Sequence, residues 1–202
     1  MNATITSTAH YVPEKVLTNS DLEKLVDTSD EWIKSRVGIN QRHVVSDGEA
    51  SSDMSTKVAH SLLEKRGISA ANIDVIIIGT VTPDHPTPST AAIVQNNINA
   101  ENAWAFDLSA ACSGFLYALE TGAKFIESGQ YKTIMVIGVD TMTSILDFED
   151  RETCIIFGDG AGGVILEASK SNTGILGSVL KTDGSGAESL NVLAGGSKYP
   201  AS

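Results

Sequence analysis

Short apolar runs alternate along this chain with stretches whose hydrophobic positions recur at helical spacing. Residues 3–10 read as a strand, residues 51–65 as a helix, and residues 75–82 (Val-Ile-Ile-Ile-Gly-Thr-Val-Thr) as a strand buried on both faces. The alternation then repeats, predicting a helix over 89–98, a strand over 104–108, a helix over 112–128, and strands over 133–139 and 162–168. Strands without a polar face, separated by helices, predict an α/β fold with a mostly parallel sheet covered by helices on both faces. The polar stretch 19–43 accommodates two short helices, with Asn19 and Ser29 as N-caps. It is longer than a crossover requires, and such added segments often carry ligand contacts. Residues 194–202 are small and loop-like, and read as a surface loop interrupted partway.

One junction in this pattern has chemical potential. In Phe106-Asp107-Leu108-Ser109-Ala110-Ala111-Cys112-Ser113-Gly114-Phe115 an apolar strand ends in small residues, and an amphipathic helix follows directly after the sulfur. A thiol there faces unpaired backbone N–H groups and the positive end of the helix dipole, both of which favour thiolate. The alternative is a small buried cysteine packed between strand and helix.

Size, charge and cysteine usage narrow the function classes. The chain has 202 residues, of which 42% are hydrophobic, enough for one sizeable core. A net charge of −11 argues against general nucleic-acid binding, which needs many lysines and arginines, so an anionic ligand must be met by a few placed cations. Cys112 and Cys154, far apart and in apolar or small-residue settings, resemble neither a disulfide framework nor a metal site, and point to a reduced, cytoplasmic compartment. No stretch is long and apolar enough to span a membrane, and Met1-Asn2-Ala3-Thr4-Ile5 does not read as a leader.

Several motifs in order then match a known family. Tyr11-Val12-Pro13-Glu14-Lys15-Val16-Leu17-Thr18-Asn19, Thr28-Ser29-Asp30-Glu31-Trp32-Ile33 with Arg36-Val37-Gly38-Ile39, the Cys112 segment, and Phe157-Gly158-Asp159-Gly160-Ala161-Gly162 resemble β-ketoacyl-acyl-carrier-protein synthase III, a thiolase-like condensing enzyme. The resemblance covers the N-terminal half of such an enzyme, with residues 1–202 as the half that carries the nucleophile. It implies that Cys112 accepts an acyl group from acyl-CoA, acetyl-CoA by default. The acyl group then passes to the carbanion formed when malonyl-acyl-carrier-protein loses carbon dioxide. The catalytic His and Asn of the family belong to the other half, and none of His10, His43, His60 or His85 stands in a matching context. No metal and no cofactor are implied beyond the coenzyme A thioester as substrate. The implied partners are the carrier protein, a second copy in a homodimer and the other half of the enzyme, with no nucleic acid and no membrane.

The resemblance also assigns the ligand contacts. Trp32 and Arg151 are expected to hold the adenine of coenzyme A, with Thr28 and Arg36 at the same mouth, and Ile156 and Phe157 along the pantetheine channel. Relatives often carry a small residue after the arginine, whereas Glu152 here sets a carboxylate beside an anionic ligand. Thr87 stands where short-primer relatives carry a Phe, which implies room for larger acyl groups, with Met142 lining the pocket and Ile93 a neighbour able to close it. The glycine-rich run from Gly158 precedes a strand, so it reads as a tight turn near the site and not as a dinucleotide loop. Cys154 reads as an inert member of an apolar run. Two further readings stay open: a related starter-unit condensing enzyme with a larger primer, and a non-catalytic half that folds, dimerises or binds coenzyme A without turnover.

Overall fold

A computed structural model describes residues 2–171 and 173–200. The main sheet comprises β1 (Asn2–Tyr11), β4 (Val75–Gly79), β5 (Trp104–Leu108), β6 (Thr133–Thr141) and β7 (Asp159–Ser169), in the order β1-β7-β6-β4-β5. β4 pairs in parallel with β5 and β6, whereas β7 is antiparallel to both β6 and β1, so β7 runs against the other four. Four of five strands sharing a direction is the mostly parallel sheet expected from the sequence.

The all-apolar run explains itself by position. β4 lies between β5 and β6, and Val75, Ile76, Ile77 and Ile78 are all fully buried. Ile76 and Ile78 face α3 (Ser51–Arg66) and α4 (Thr90–Asn97) through Val58, Leu62, Ala91 and Val94. Val75 and Ile77 face α5 (Gly114–Glu127) through Ala118, Ala123 and Ile126. Successive side chains of a strand point to opposite faces, so two helical layers demand apolar residues at every position. Each such buried Val or Ile contributes about 1.5–3 kcal/mol relative to exposure.

A second, smaller unit stands beside this sheet. β2 (Lys15–Thr18) pairs antiparallel with β3 (Gln41–Val44), and between them lie α1 (Asn19–Leu22) and α2 (Asp30–Val37). Leu22, Ile33, Cys154 and Ile155 form its own buried core, with Trp32 packed against it. Ser29 caps α2 as expected, through its hydroxyl accepting from the Trp32 N–H. The cap of α1 is Thr18, not Asn19, since the Thr18 hydroxyl accepts from Asp21 N–H while the Asp21 carboxylate bonds back to Thr18. Asn19 is instead buried, donating to Asp30 Oδ1 at 2.8 Å and to the Ile39 carbonyl at 2.9 Å.

Three further boundaries differ from expectation for identifiable reasons. β4 ends at Gly79, because Thr80 and Thr82 turn aside to bond Asp140. β7 starts at Asp159, so the glycine-rich run beyond Gly158 is strand and not a turn. Within it Gly163 permits close approach, since a Cβ there would meet the Val136 carbonyl oxygen at 2.8 Å. The Cys112 helix opens with a separate 3-10 turn, Ala111–Ser113, before α5 begins at Gly114. After β7 the described chain is largely irregular, with a 3-10 turn at Gly184–Gly186, and it exposes Leu176, Val179, Leu190 and Leu193. No described helix is long and apolar enough to cross a membrane.

Candidate active site

The strand that leads to Cys112 is anchored at its end. Asp107 accepts the backbone N–H groups of Thr90 and Ala91 at 2.7 and 2.8 Å, tying the end of β5 to the start of α4. The chain then turns sharply: Ala110 sits at φ −151° and ψ 31°, and Ala111 at φ 47°. A left-handed alanine is uncommon and costs conformational energy, and such positions cluster where a side chain must be aimed. Cys112 follows it and is exposed, whereas Cys154 is fully buried.

Glycines let the backbone close in around the thiol. A Cβ on Gly79 would lie 2.8 Å from the Gly114 carbonyl carbon, and one on Gly138 would lie 3.1 Å from the Phe115 Cβ. The end of β4 and the Gly138 position of β6 therefore press directly on the first turn of α5. Cys112 opens onto a cavity of about 240 Å³ lined also by Gly79, Ala111, Phe115, Gly138, Asp140, Gly158 and Gly160. No motif in the sequence marks Asp140. Its Oδ1 accepts from Thr80 Oγ1 (3.1 Å), Val81 N–H (2.8 Å), Thr82 N–H (3.2 Å) and Thr82 Oγ1 (2.9 Å), which holds the 80–82 turn against the site. A larger cleft of about 900 Å³ runs between α5 and residues 180–183, but Cys112 does not line it.

Three of the expected coenzyme contacts, Trp32, Arg36 and Arg151, come together beside the smaller unit, away from the Cys112 cavity. Trp32 is half-buried, with the Arg151 guanidinium carbon 5.0 Å and that of Arg36 5.8 Å from its ring centroid, both within cation–π range. Thr28 precedes α2, and its hydroxyl is buried without a hydrogen-bond partner among the described residues. Arg42 ties the smaller unit to the 154–157 segment: it is buried on β3 and donates to Asn19 Oδ1 and twice to the Ile155 carbonyl, from Nε at 3.0 Å. Burial lowers the Arg42 pKa from the usual guanidinium value. Ile156 is 40% exposed and Phe157 half-buried, directly beyond that anchor. Burial, with Asp150 adding to it, pushes the Cys154 thiol up, which fits the inert role expected of it.

Other candidates lie elsewhere. Thr87 is exposed on the 83–89 loop and Met142 is half-buried after β6, and neither lines the Cys112 cavity. His85 is exposed beside a distinct cleft with Thr80, Pro83 and Phe106. His43 bonds the Pro13 carbonyl through Nδ1 at 2.6 Å, a structural role, and His10 and His60 are exposed. No cluster of three or more potential metal ligands occurs among the described residues.

A left-handed elbow presenting a cysteine at the head of a helix, on a mostly parallel five-stranded sheet of this order, is shared with solved structures of thiolase-like fold. Residues 106–184 match the family model of 3-oxoacyl-[acyl-carrier-protein (ACP)] synthase III. The chain is 58% identical over 205 residues to β-ketoacyl-[acyl-carrier-protein] synthase III of Chlorobaculum tepidum, covering 100% of this chain and 62% of that protein. It is 53% identical over 203 residues to the protein of the same name from Solibacter usitatus, covering 99% of this chain and 61% of the relative. The crystal structure of the Thermus thermophilus synthase III superposes with a TM-score of 0.87 at 39% identity, over 92% of this chain and 57% of that one. By sequence and by fold the chain is thus a homologue of β-ketoacyl-[acyl-carrier-protein] synthase III, and it spans about three-fifths of the length of these relatives.

Proposed function

We propose that the complete protein is a β-ketoacyl-acyl-carrier-protein synthase III and that this chain is its N-terminal, nucleophile-bearing half. The observation that carries the reading is the exposed Cys112 behind the left-handed Ala111, opening onto a cavity lined by Gly79, Gly138, Gly158 and Gly160 with Phe115 and Asp140. In the first step the Cys112 thiolate adds to the acyl-CoA carbonyl carbon, and the tetrahedral oxyanion collapses with departure of the coenzyme thiolate, leaving acyl-Cys112. In the second, malonyl-carrier protein loses carbon dioxide, and the electron pair of the broken C–C bond becomes an enolate. The enolate attacks the acyl carbonyl and expels the Cys112 thiolate. Covalent catalysis divides one difficult condensation into two easier steps. The Cys112 backbone N–H is our candidate for one oxyanion donor.

Trp32 and Arg151 bind the coenzyme base in this reading, with Thr28 and Arg36 beside them and Ile156 and Phe157 along the pantetheine arm. The pairing of Trp32 with two guanidiniums supports it. Thr87 and Met142 are our candidates for setting acyl length, Thr87 acting across a homodimer. The open outer edge of β5, where Trp104 is 42% exposed and stacked on Phe106, supports a dimeric assembly. The His and Asn needed to stabilise the enolate belong to the other half. The chemistry calls for no metal or redox cofactor, and we place the enzyme in the cytoplasm with its thioester substrates. The test is a condensation assay on the complete protein with acyl-CoA and malonyl-carrier protein. The ketoacyl product and carbon dioxide are expected from the parent, and no ketoacyl product from Cys112→Ala. Equal condensation by both would refute the assignment.

A further inference from the structure

Arg151 does not stand clear of Trp32. Its guanidinium carbon is 5.0 Å from the indole centroid, and its Nη1 is 3.5 Å from the Asp27 carboxylate. A flat ring inserted between an indole and a guanidinium needs a van der Waals separation of about 3.5 Å on each side, or roughly 7 Å in all. The chain's own arginine therefore lies closer to Trp32 than an inserted base allows, and admitting a base requires Arg151 to lift by roughly 2 Å or more on the same spacing. The Asp27 side chain is 100% exposed and makes no side-chain hydrogen bond among the described residues, so its ion pair with Arg151 is its single structural tie there. Glu152 carries the same charge next to Arg151 in sequence, but forms no ion pair with it among the described residues.

We propose that Asp27 is a latch, holding Arg151 over Trp32 and setting the affinity of this mouth for a flat-ringed anionic ligand. The proposal rests on the reading of the mouth as the coenzyme A site. The latch tunes binding and does not block it, because an exposed ion pair is worth at most a factor of about five in an equilibrium. Asp27 is accordingly an affinity-determining residue that would touch no ligand atom, acting only through the arginine it restrains.

Trp32 and Trp104 are the two tryptophans of the chain, so a Trp104→Phe background of the complete protein leaves Trp32 as the indole reporter within this chain. Tryptophans contributed by any further part of the protein are subtracted with a Trp32→Phe reference. Quenching of Trp32 by acrylamide, an uncharged probe, is measured without ligand, and coenzyme A binding is measured by calorimetry. Asp27→Asn is expected to raise the quenching and to tighten coenzyme A by about two- to fivefold. Glu152→Gln is expected to leave the quenching unchanged. Quenching that does not rise in Asp27→Asn, or rises as much in Glu152→Gln, overturns the latch. If the parent binds no coenzyme A while Asp27→Asn still raises the quenching, the latch stands and the coenzyme reading falls. If Trp32→Ala loses coenzyme A but Asp27→Asn changes nothing, the coenzyme reading stands and the latch falls.

Discussion

Gly79→Ala tests whether the Cys112 elbow rests on backbone contact. The added methyl would sit 2.8 Å from the Gly114 carbonyl carbon and 3.0 Å from the Phe115 nitrogen, both main-chain atoms that no side-chain rotation can move aside. Carbon atoms rest at about 3.5–4.0 Å, so the end of β4 and the start of α5 must part by roughly 0.7 Å or more. Overpacking of this kind costs about 1–3 kcal/mol. The displaced turn carries the nucleophile, and a misplacement near 1 Å can cost on the order of a hundredfold in rate, so acylation should slow by about tenfold or more. Urea denaturation gives the stability change as a lower midpoint at unchanged slope, and acyl transfer from acyl-CoA to Cys112 gives the rate. Gly162→Ala is the control, because its methyl would meet only the Ala9 carbonyl oxygen at 3.8 Å. If Gly79→Ala matches the parent in both stability and acylation, the backbone contact does not position the thiol.

Arg42→Met removes the donor to Asn19 and Ile155 and leaves both buried acceptors unpaired, so urea melts should show a loss of about 2–4 kcal/mol. Iodoacetamide should alkylate Cys112 in the native protein but Cys154 only on unfolding, read by peptide mass, since Cys154 is fully buried with its thiol pushed up by burial. Burial raises the Glu49 pKa, but the hydrogen bonds from Lys57 and Tyr11, each 2.8 Å, outweigh it and leave the carboxyl below its usual value. A depressed carboxyl stabilises the fold above its unfolded pKa, and that contribution is lost as pH falls through the folded value. Glu49→Gln should therefore be less stable than the parent near neutrality, with the difference closing below about pH 4 in urea melts across pH. A gap that persists or widens in acid would contradict the assignment.

Where local pattern and tertiary contact agreed, the elements were legible. The 104–108 strand needed no adjustment, and the helix over 51–65 was short by one residue. Thr80 and Thr82 have strand-forming side chains, yet their groups are captured by Asp140, remote in sequence, and no local pattern reports that capture. The β2–β3 pair was invisible for a related reason: two helices separate its strands, so no hairpin turn marks it. Asn19 is a good capping residue by type, but the adjacent Thr18 takes that role while Asp30, the Ile39 carbonyl and the buried Arg42 occupy the Asn19 amide. At the site, the step from strand through small residues to helix pointed to Cys112. The left-handed Ala111 did not announce itself, since alanine carries no preference for positive φ. Trp32, Arg36 and Arg151 were assigned by resemblance, and their convergence on one ring emerges only in three dimensions.

Intact mass spectrometry of the complete protein, before and after incubation with a panel of acyl-CoAs and beside Cys112→Ser, tests the nucleophile most directly. One acyl mass should add to the parent and none to Cys112→Ser, with the acyl group that adds most readily identifying the preferred primer. A folded parent that stays unmodified, or a Cys112→Ser variant that acquires the same mass, would contradict Cys112 as the acyl carrier.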